Sequence, residues 1–196
     1  MSHSAVPAVF MRGGTSKGLF FHARDLPSPG YKRDRMILSA MGSPDPYGRQ
    51  LDGMGGGVSS LSKVIIVGPS TSSEAVLDYT FGQVAVDKNI IDWESNCGNL
   101  SSGVGHFAID EGLVNASDGK VELCLHNTNT STIVNSRFSV VDSRAVVKGT
   151  FDIHGVAGSG APIELEFKNP AGTITGDLLP TGNTVDVFNV PNFGKI

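Results

Sequence analysis

One run in this chain has helical spacing yet carries glycines that a helix disfavours, and it limits the folds available to the rest. Leu100, Val104, Phe107 and Ala108 share one face of a helix expected over Leu100–Val114. Gly103 and Gly105 lie inside it. Each costs a helix interior about 1 kcal/mol against alanine, so their missing side chains must allow something to come close. The neighbouring sequence supplies strands. A strand-like run, Leu77 to Ile91, precedes the helix, and beyond Lys120 the chain reads as Val121–His126, Ser131–Val141, Ala145–Ile153 and Ile163–Phe167. The pattern predicts an α+β protein whose helix threads closely through surrounding strands.

The first hundred residues add smaller elements. Val6–Arg12 and Leu19–His22 read as a hairpin across a polar, glycine-rich turn, Gly13-Gly14-Thr15-Ser16-Lys17-Gly18. Met36, Ile37, Ala40 and Met41 predict a short helix over Tyr31–Met41, ended by Ser43-Pro44-Asp45-Pro46. Lys63–Val67 is an apolar strand closed by Gly68-Pro69. In Leu77–Val86 the alternation shifts at Gly82-Gln83, which predicts a bulge. The 25 glycines and 10 prolines suit a turn-rich, mainly β protein. A last strand is expected over Val185–Val190.

A net charge of -4 without clustered basic residues argues against nucleic acid and membrane surfaces as partners. No apolar segment approaches membrane-spanning length, and Met1–Phe10 lacks the features of a secretory signal, so the cytoplasm is the expected compartment. Two cysteines, Cys97 and Cys124, make no disulfide framework. The five histidines have no metal-ligand spacing, and neither a G-x-S-x-G elbow nor a dinucleotide fingerprint is present.

Asn96-Cys97-Gly98-Asn99 precedes the central helix. A cysteine in a helix's first turn faces free N–H groups and the positive end of the dipole, which favour a thiolate and attract a carboxylate. Asn96 is expected to cap the helix, and Gly98 lets a ligand approach the backbone. A buried structural cysteine before an ordinary helix fits the same residues. Thr15 and Ser16 could hold a carboxylate with the glycine amides around them, or simply turn a hairpin. Asp52-Gly53-Met54-Gly55-Gly56-Gly57 could form a second anion nest or a flexible loop. Lys63 stands where Ser59-Ser60-Leu61-Ser62 enters an apolar strand. There it is either a partly desolvated base or a snorkelling surface lysine. His106 reads as a packed or capped histidine.

Four of these motifs occur together in one order: Met11–Gly18, Asp52–Gly57, Ser59–Lys63 and Asn96–Asn99. In that order and approximate spacing the chain resembles the PrpF family, which includes methylaconitate, aconitate and methylitaconate isomerases and oxalomesaconate tautomerase. The resemblance implies a diaminopimelate epimerase-like fold: two similar domains, each a rolled, mainly antiparallel sheet around a central helix, with the site in the cleft between them. It makes residues 1–180 the N-terminal domain and residues 181–196 the crossover toward a second. It implies Lys63 and Cys97 as catalytic residues, and Thr15, Ser16, Gly98, Asn99 and Gly56 as substrate-binding residues. The implied reaction is an allylic proton shift, or a cis–trans change through the same anion, in a small unsaturated di- or tricarboxylate of the aconitate or methylaconitate type, with no metal or organic cofactor. A two-cysteine racemase or epimerase of the same fold and a non-catalytic carboxylate-binding module are the rival readings. At roughly half the family's length, the chain is expected to lack one cleft wall, to have little activity alone and to self-associate through the uncovered face.

Overall fold

The computed structural model describes residues 5–170, 175–192 and 194–195. Its centre is helix α2, Gly98–Asp110. One sheet is rolled around it, in the order β1 (Val9–Gly13), β2 (Ser16–His22), β3 (Lys63–Pro69), β4 (Leu77–Val84), β6 (Gly119–Asn127), β7 (Thr132–Val141) and β11 (Glu164–Phe167). Two short strands, β5 (Ile91–Asp92) and β8 (Arg144–Ala145), pair with β4 and β7. The β2–β3 and β4–β6 pairs are parallel and the rest are antiparallel. Helix α2 touches β1, β2 and β3 on one side and β7 and β8 on the other, so the sheet curls round it.

Close threading accounts for the interior glycines. A Cβ on Gly103 would lie 2.9 Å from the Phe20 ring, and one on Gly105 would strike the Phe138 ring. The helix buries Leu100, Val104, Phe107, Ala108 and Ile109 against Phe20, Ile65, Tyr79, Phe81, Leu125, Val134 and Phe138. A second core lies on the sheet's other face. There α1 (Tyr31–Met41) packs Ile37, Leu38 and Met41 against Leu19, Phe21, Val64, Ile66, Val84 and Ile91. Strands β2 and β3 are thus buried on both faces, which is why they read as continuous apolar runs.

Several boundaries differ from expectation. The helix ends at Asp110, four residues before Val114, because Gly112 takes a left-handed conformation (φ +68°). Leu113 N–H then donates to Ala108 O and Gly112 N–H to Ile109 O, a closing pattern that consumes the last free carbonyls. The hairpin turn is tighter than six residues: Gly13 pairs with Ser16, leaving only Gly14 and Thr15 at the corner. The expected bulge at Gly82-Gln83 is absent, since the β3–β4 register runs unbroken from Lys63↔Gln83 to Pro69↔Leu77. The shift in alternation instead marks a change of core. Leu77, Tyr79 and Phe81 face α2, whereas Val84 belongs to the core under α1. The strand expected over Ala145–Ile153 survives only as β8 and β9 (Phe151–Asp152), the latter paired with β10 (Ser159–Gly160). Between them the chain folds back: Ala161 N–H donates to Val147 O, and Gly149 packs against the backbone at Ala161. Of Val185–Val190 only β12 (Asn189–Val190) is a strand, paired with β13 (Gly194–Lys195). Among the described residues no helix is long and apolar enough to cross a membrane.

Candidate active site

The start of α2 is built around Cys97. It is the residue that caps the helix, with φ −136° and ψ 96°, and its Sγ accepts the Leu100 N–H at 3.5 Å. Asn96 does not cap, contrary to expectation. Its Oδ1 is held by Cys97 N–H and by Asn127 Nδ2, each at 2.8 Å. With Leu100 and Ser101 N–H bound to Cys97, the N–H groups of Gly98 and Asn99 have no partner among the described residues. Both residues are exposed. Two free donors at the positive end of a 13-residue helix are groups of the kind that can accept an anion.

The β1–β2 corner docks on this first turn. A Cβ on Gly13 would lie 2.6 Å from Asn99 O and 2.8 Å from Leu100 O, so only glycine lets the two backbones meet. Gly14 turns with φ +51° against the Asn99 side chain, and Thr15 N–H donates to Asn99 Oδ1 at 3.4 Å. Buried Ser16 places its hydroxyl 3.7 Å from Cys97 Sγ. Motifs more than eighty residues apart are thereby brought into contact.

Lys63 opens β3, directly beside Gly18 on β2. Since β2 and β3 are parallel, Ser16 and Lys63 lie at the same end of the sheet, and Lys63 shares with Ile65 the side that faces α2. The lysine is 8% exposed. Its Nζ donates to Gln83 Oε1 and lies 5.1 Å from the centre of the Phe81 ring. Gln83 is itself fixed. Its Nε2 donates to Ser59 O at 3.0 Å and Ser62 O at 2.8 Å, so the amide oxygen must turn toward Lys63. The snorkelling alternative fails for this lysine, because its ammonium group is held within the fold.

Gly56 is not brought to this site as an anion donor. Its N–H donates to Leu61 O, and the other amides of the glycine loop are also taken: Gly53 by Gln50 O, Met54 by Ala40 O, Gly55 by Met41 O and Gly57 by Gln50 Oε1. A nest needs free N–H groups, and this loop has spent them. It wraps Gln50, which is 1% exposed and donates to Ser43 Oγ and Ser62 Oγ, each at 2.8 Å. The motif therefore braces the segment that leads into Lys63.

A buried polar layer under Cys97 was not anticipated. Asn127 is fully buried, and its Nδ2 joins the Tyr79 hydroxyl at 3.0 Å to Asn96. Burial pushes the Tyr79 phenol above its ordinary range, and a negative charge on Cys97 would push it the same way. Asn129 holds the segment before the helix through Nδ2 to Trp93 O at 2.7 Å. The only advance sign was a cluster of asparagines, Asn127 and Asn129, at the end of a strand. Both cysteines are free thiols, and among the described residues no group of His, Cys, Asp or Glu is arranged to hold a metal ion.

Residues 3–196 match the family described as "PrpF protein". The chain is 47% identical over 184 residues to 3-methylitaconate isomerase of Eubacterium barkeri, covering 94% of this chain and 48% of that protein. It is 42% identical over 201 residues to 2-methyl-aconitate isomerase of Shewanella oneidensis, covering 97% and 51%. A crystal structure of methylitaconate-delta-isomerase superposes with a TM-score of 0.86 at 46% identity, over 97% of this chain and 49% of that one. The chain thus spans about half the length of the curated relatives it matches. A match across nearly every residue, together with the shared fold and the paired glycine and cysteine motifs, shows that this chain belongs to the PrpF family.

Proposed function

We propose that this chain forms the N-terminal half of an isomerase of small unsaturated di- or tricarboxylates, of the aconitate or methylaconitate type. The observation that carries the reading is the junction of the Gly13–Ser16 corner with the start of α2. It sets an anion seat beside Cys97, at the same end of the sheet as buried Lys63. Relatives named as methylitaconate and methyl-aconitate isomerases support it.

The chemistry follows from those parts. A carbon next to a C=C conjugated to a carboxylate loses a proton to a base, here assigned to Lys63. The electron pair of the broken C–H bond spreads into a dienolate. The same proton, or one from solvent, returns to the distal carbon, which moves the double bond. Return to the first carbon after rotation gives the cis–trans isomer. Negative charge grows on the carboxylate oxygens, where the free Gly98 and Asn99 N–H groups and the helix dipole stabilise it most. Thr15 and Ser16 line the approach. Cys97 serves as the second acid/base or shapes the anion seat. The proton bookkeeping closes without metal or organic cofactor.

In this proposal residues 1–180 are one domain, residues 181–196 lead toward a second, and the cleft needs both. The 196-residue chain alone should fold in the cytoplasm, turn over aconitate isomers slowly or not at all, and associate through the uncovered cleft face. The reading is tested with a protein that carries both halves. Incubated in deuterated water with aconitate isomers, it should place deuterium at the allylic carbon. Exchange into amino acids instead would identify a racemase, and carboxylate binding without exchange would identify a binding module.

Cys97 offers a separate check. Its sulfur lies at a helix N-terminus beside the anion seat, whereas Cys124 lies in the middle of β6. Iodoacetamide should therefore modify Cys97 several-fold faster than Cys124, and trans-aconitate should slow only the Cys97 reaction. Peptide mapping reads both rates. Equal rates, unmoved by the tricarboxylate, would remove Cys97 from the site.

A further inference from the structure

Lys63 is a buried amine held by a neutral group. Among the described residues its Nζ makes one hydrogen bond, to Gln83 Oε1, and no carboxylate pairs with it. A buried lysine is ordinarily matched with a carboxylate, which holds it as an ammonium ion. Here the acceptor is an amide, and it sits in a fixed frame. Gln83 Nε2 gives one hydrogen to Ser59 O and the other to Ser62 O. Ser62 is fully buried; its hydroxyl accepts from Gln50 Nε2, and its carbonyl also accepts the Val84 N–H. Gln50 spends its second hydrogen on Ser43 Oγ and takes the Gly57 N–H on its oxygen. Two glutamines in series thus tie the glycine-rich loop to the lysine.

The surroundings supply no substitute for Gln83. In one row across the sheet stand Gly18 of β2, Lys63, Gln83 and Asp92 of β5. Asp92 lies one strand beyond Gln83, and the Glu94 and Ser95 N–H groups hold its carboxylate ionised. Cys97 at the start of α2 is the other titratable group at this end of the sheet, and the Ser59–Leu61 turn carries none. From β4 only the Phe81 ring and the Gln83 amide reach the Lys63 nitrogen. The distinction between amide and carboxylate matters to a base. An amide oxygen accepts an N–H from the amine and from the ammonium ion alike, whereas a carboxylate beside it favours the ammonium ion.

We propose that Gln83 is the positioning residue of the proton transfer: it fixes one N–H of Lys63 without fixing the charge, and so leaves the amine's lone pair for the substrate hydrogen. The inference rests on Lys63 as the base. In the first step the electron pair of the C–H bond passes into the dienolate, and the proton joins the Nζ lone pair. In the return step that proton leaves Nζ for carbon. The N–H held by Gln83 Oε1 stays in place through both steps.

The test begins on the 196-residue chain labelled with ¹³C-lysine. The Lys63 Cε resonance, identified by its loss in Lys63→Ala, reports the proton on the amine as pH is raised. Gln83→Glu keeps the side chain's length and sets a carboxylate against Nζ, so the Lys63 midpoint should rise by about one pH unit or more. In a protein that carries both halves, the same variant should exchange allylic deuterium about tenfold more slowly at pH 7. The rising limb of its pH–rate profile should move by the same amount as the resonance midpoint. Gln83→Leu removes the acceptor without adding charge. Its kcat should fall about 10- to 100-fold, the effect of a misplaced reacting group, while trans-aconitate affinity stays within a few-fold. Rates within twofold of wild type in both variants, or a slower Gln83→Glu whose profile does not move with the lysine, would overturn the role. The titration needs no turnover. A midpoint that rises in Gln83→Glu, alongside wild-type exchange by Lys63→Ala, would therefore strike down the assigned base and its positioning residue together while leaving the contact intact.

Discussion

Lys63→Ala, placed in a protein that carries both halves of the fold, should lower deuterium exchange at the allylic carbon by about 10²–10⁴-fold, the usual contribution of a positioned base. Affinity for trans-aconitate should stay within a few-fold, because the proposed anion seat is built from α2 and the β1–β2 corner. The lysine is buried and its amino group is committed to Gln83, whose own amide is clamped by two backbone carbonyls. Removing the side chain leaves the Gln83 oxygen without its donor, so some loss of stability accompanies the kinetic loss. A melting curve separates the two effects. A folded variant that exchanges at the wild-type rate would remove Lys63 from the proton transfer.

The contrast between Lys63 and Gly56 shows what the sequence made legible and what it did not. Each lay in a distinctive motif, and each was expected at the site. Strand alternation could be read for Lys63, because a residue of the Ile65 side must face the helix wherever Ile65 does. No pattern states which carbonyl a loop amide will meet. The glycine loop uses its N–H groups on Ala40, Met41, Gln50 and Leu61, contacts set by how α1 packs. Cys97 and Asn96 exchanged roles for a similar reason. Asn127, 31 residues away, claims the asparagine side chain, and the cysteine is left to cap the helix. The fold was read more fully than the site. Gly103 and Gly105 implied close strands before any contact was known, and both face aromatic rings. The break at Gly82-Gln83 was visible, but a strand passing between two cores leaves the same trace as a bulge.

The junction itself can be tested by two glycines that differ in what surrounds them. Gly13→Val introduces a Cβ against three backbone atoms of α2, Asn99 O, Leu100 O and Leu100 Cα, all within 2.9 Å. Backbone cannot swing aside as a side chain can, so the corner must lift from the helix. Overpacking of this kind costs about 1–3 kcal/mol, a fall in melting temperature of about 2–4 °C for each kcal/mol in a chain of this size. With the corner displaced, Ser16 leaves Cys97, and carboxylate binding should fall with stability. Gly98→Ala is the opposite case. The nearest atom to its new Cβ is a Phe167 ring carbon at 3.8 Å, an ordinary contact, and Gly98 begins the helix without a positive φ. Alanine there should keep or slightly raise stability while its methyl crowds the free N–H groups. The expected result is a destabilised, weakly binding Gly13→Val and a stable, weakly binding Gly98→Ala, read by melting curves and trans-aconitate titration. If Gly98→Ala bound the acid as well as the wild type, the start of α2 would not be the carboxylate seat, and the meeting of the two motifs would serve the fold alone.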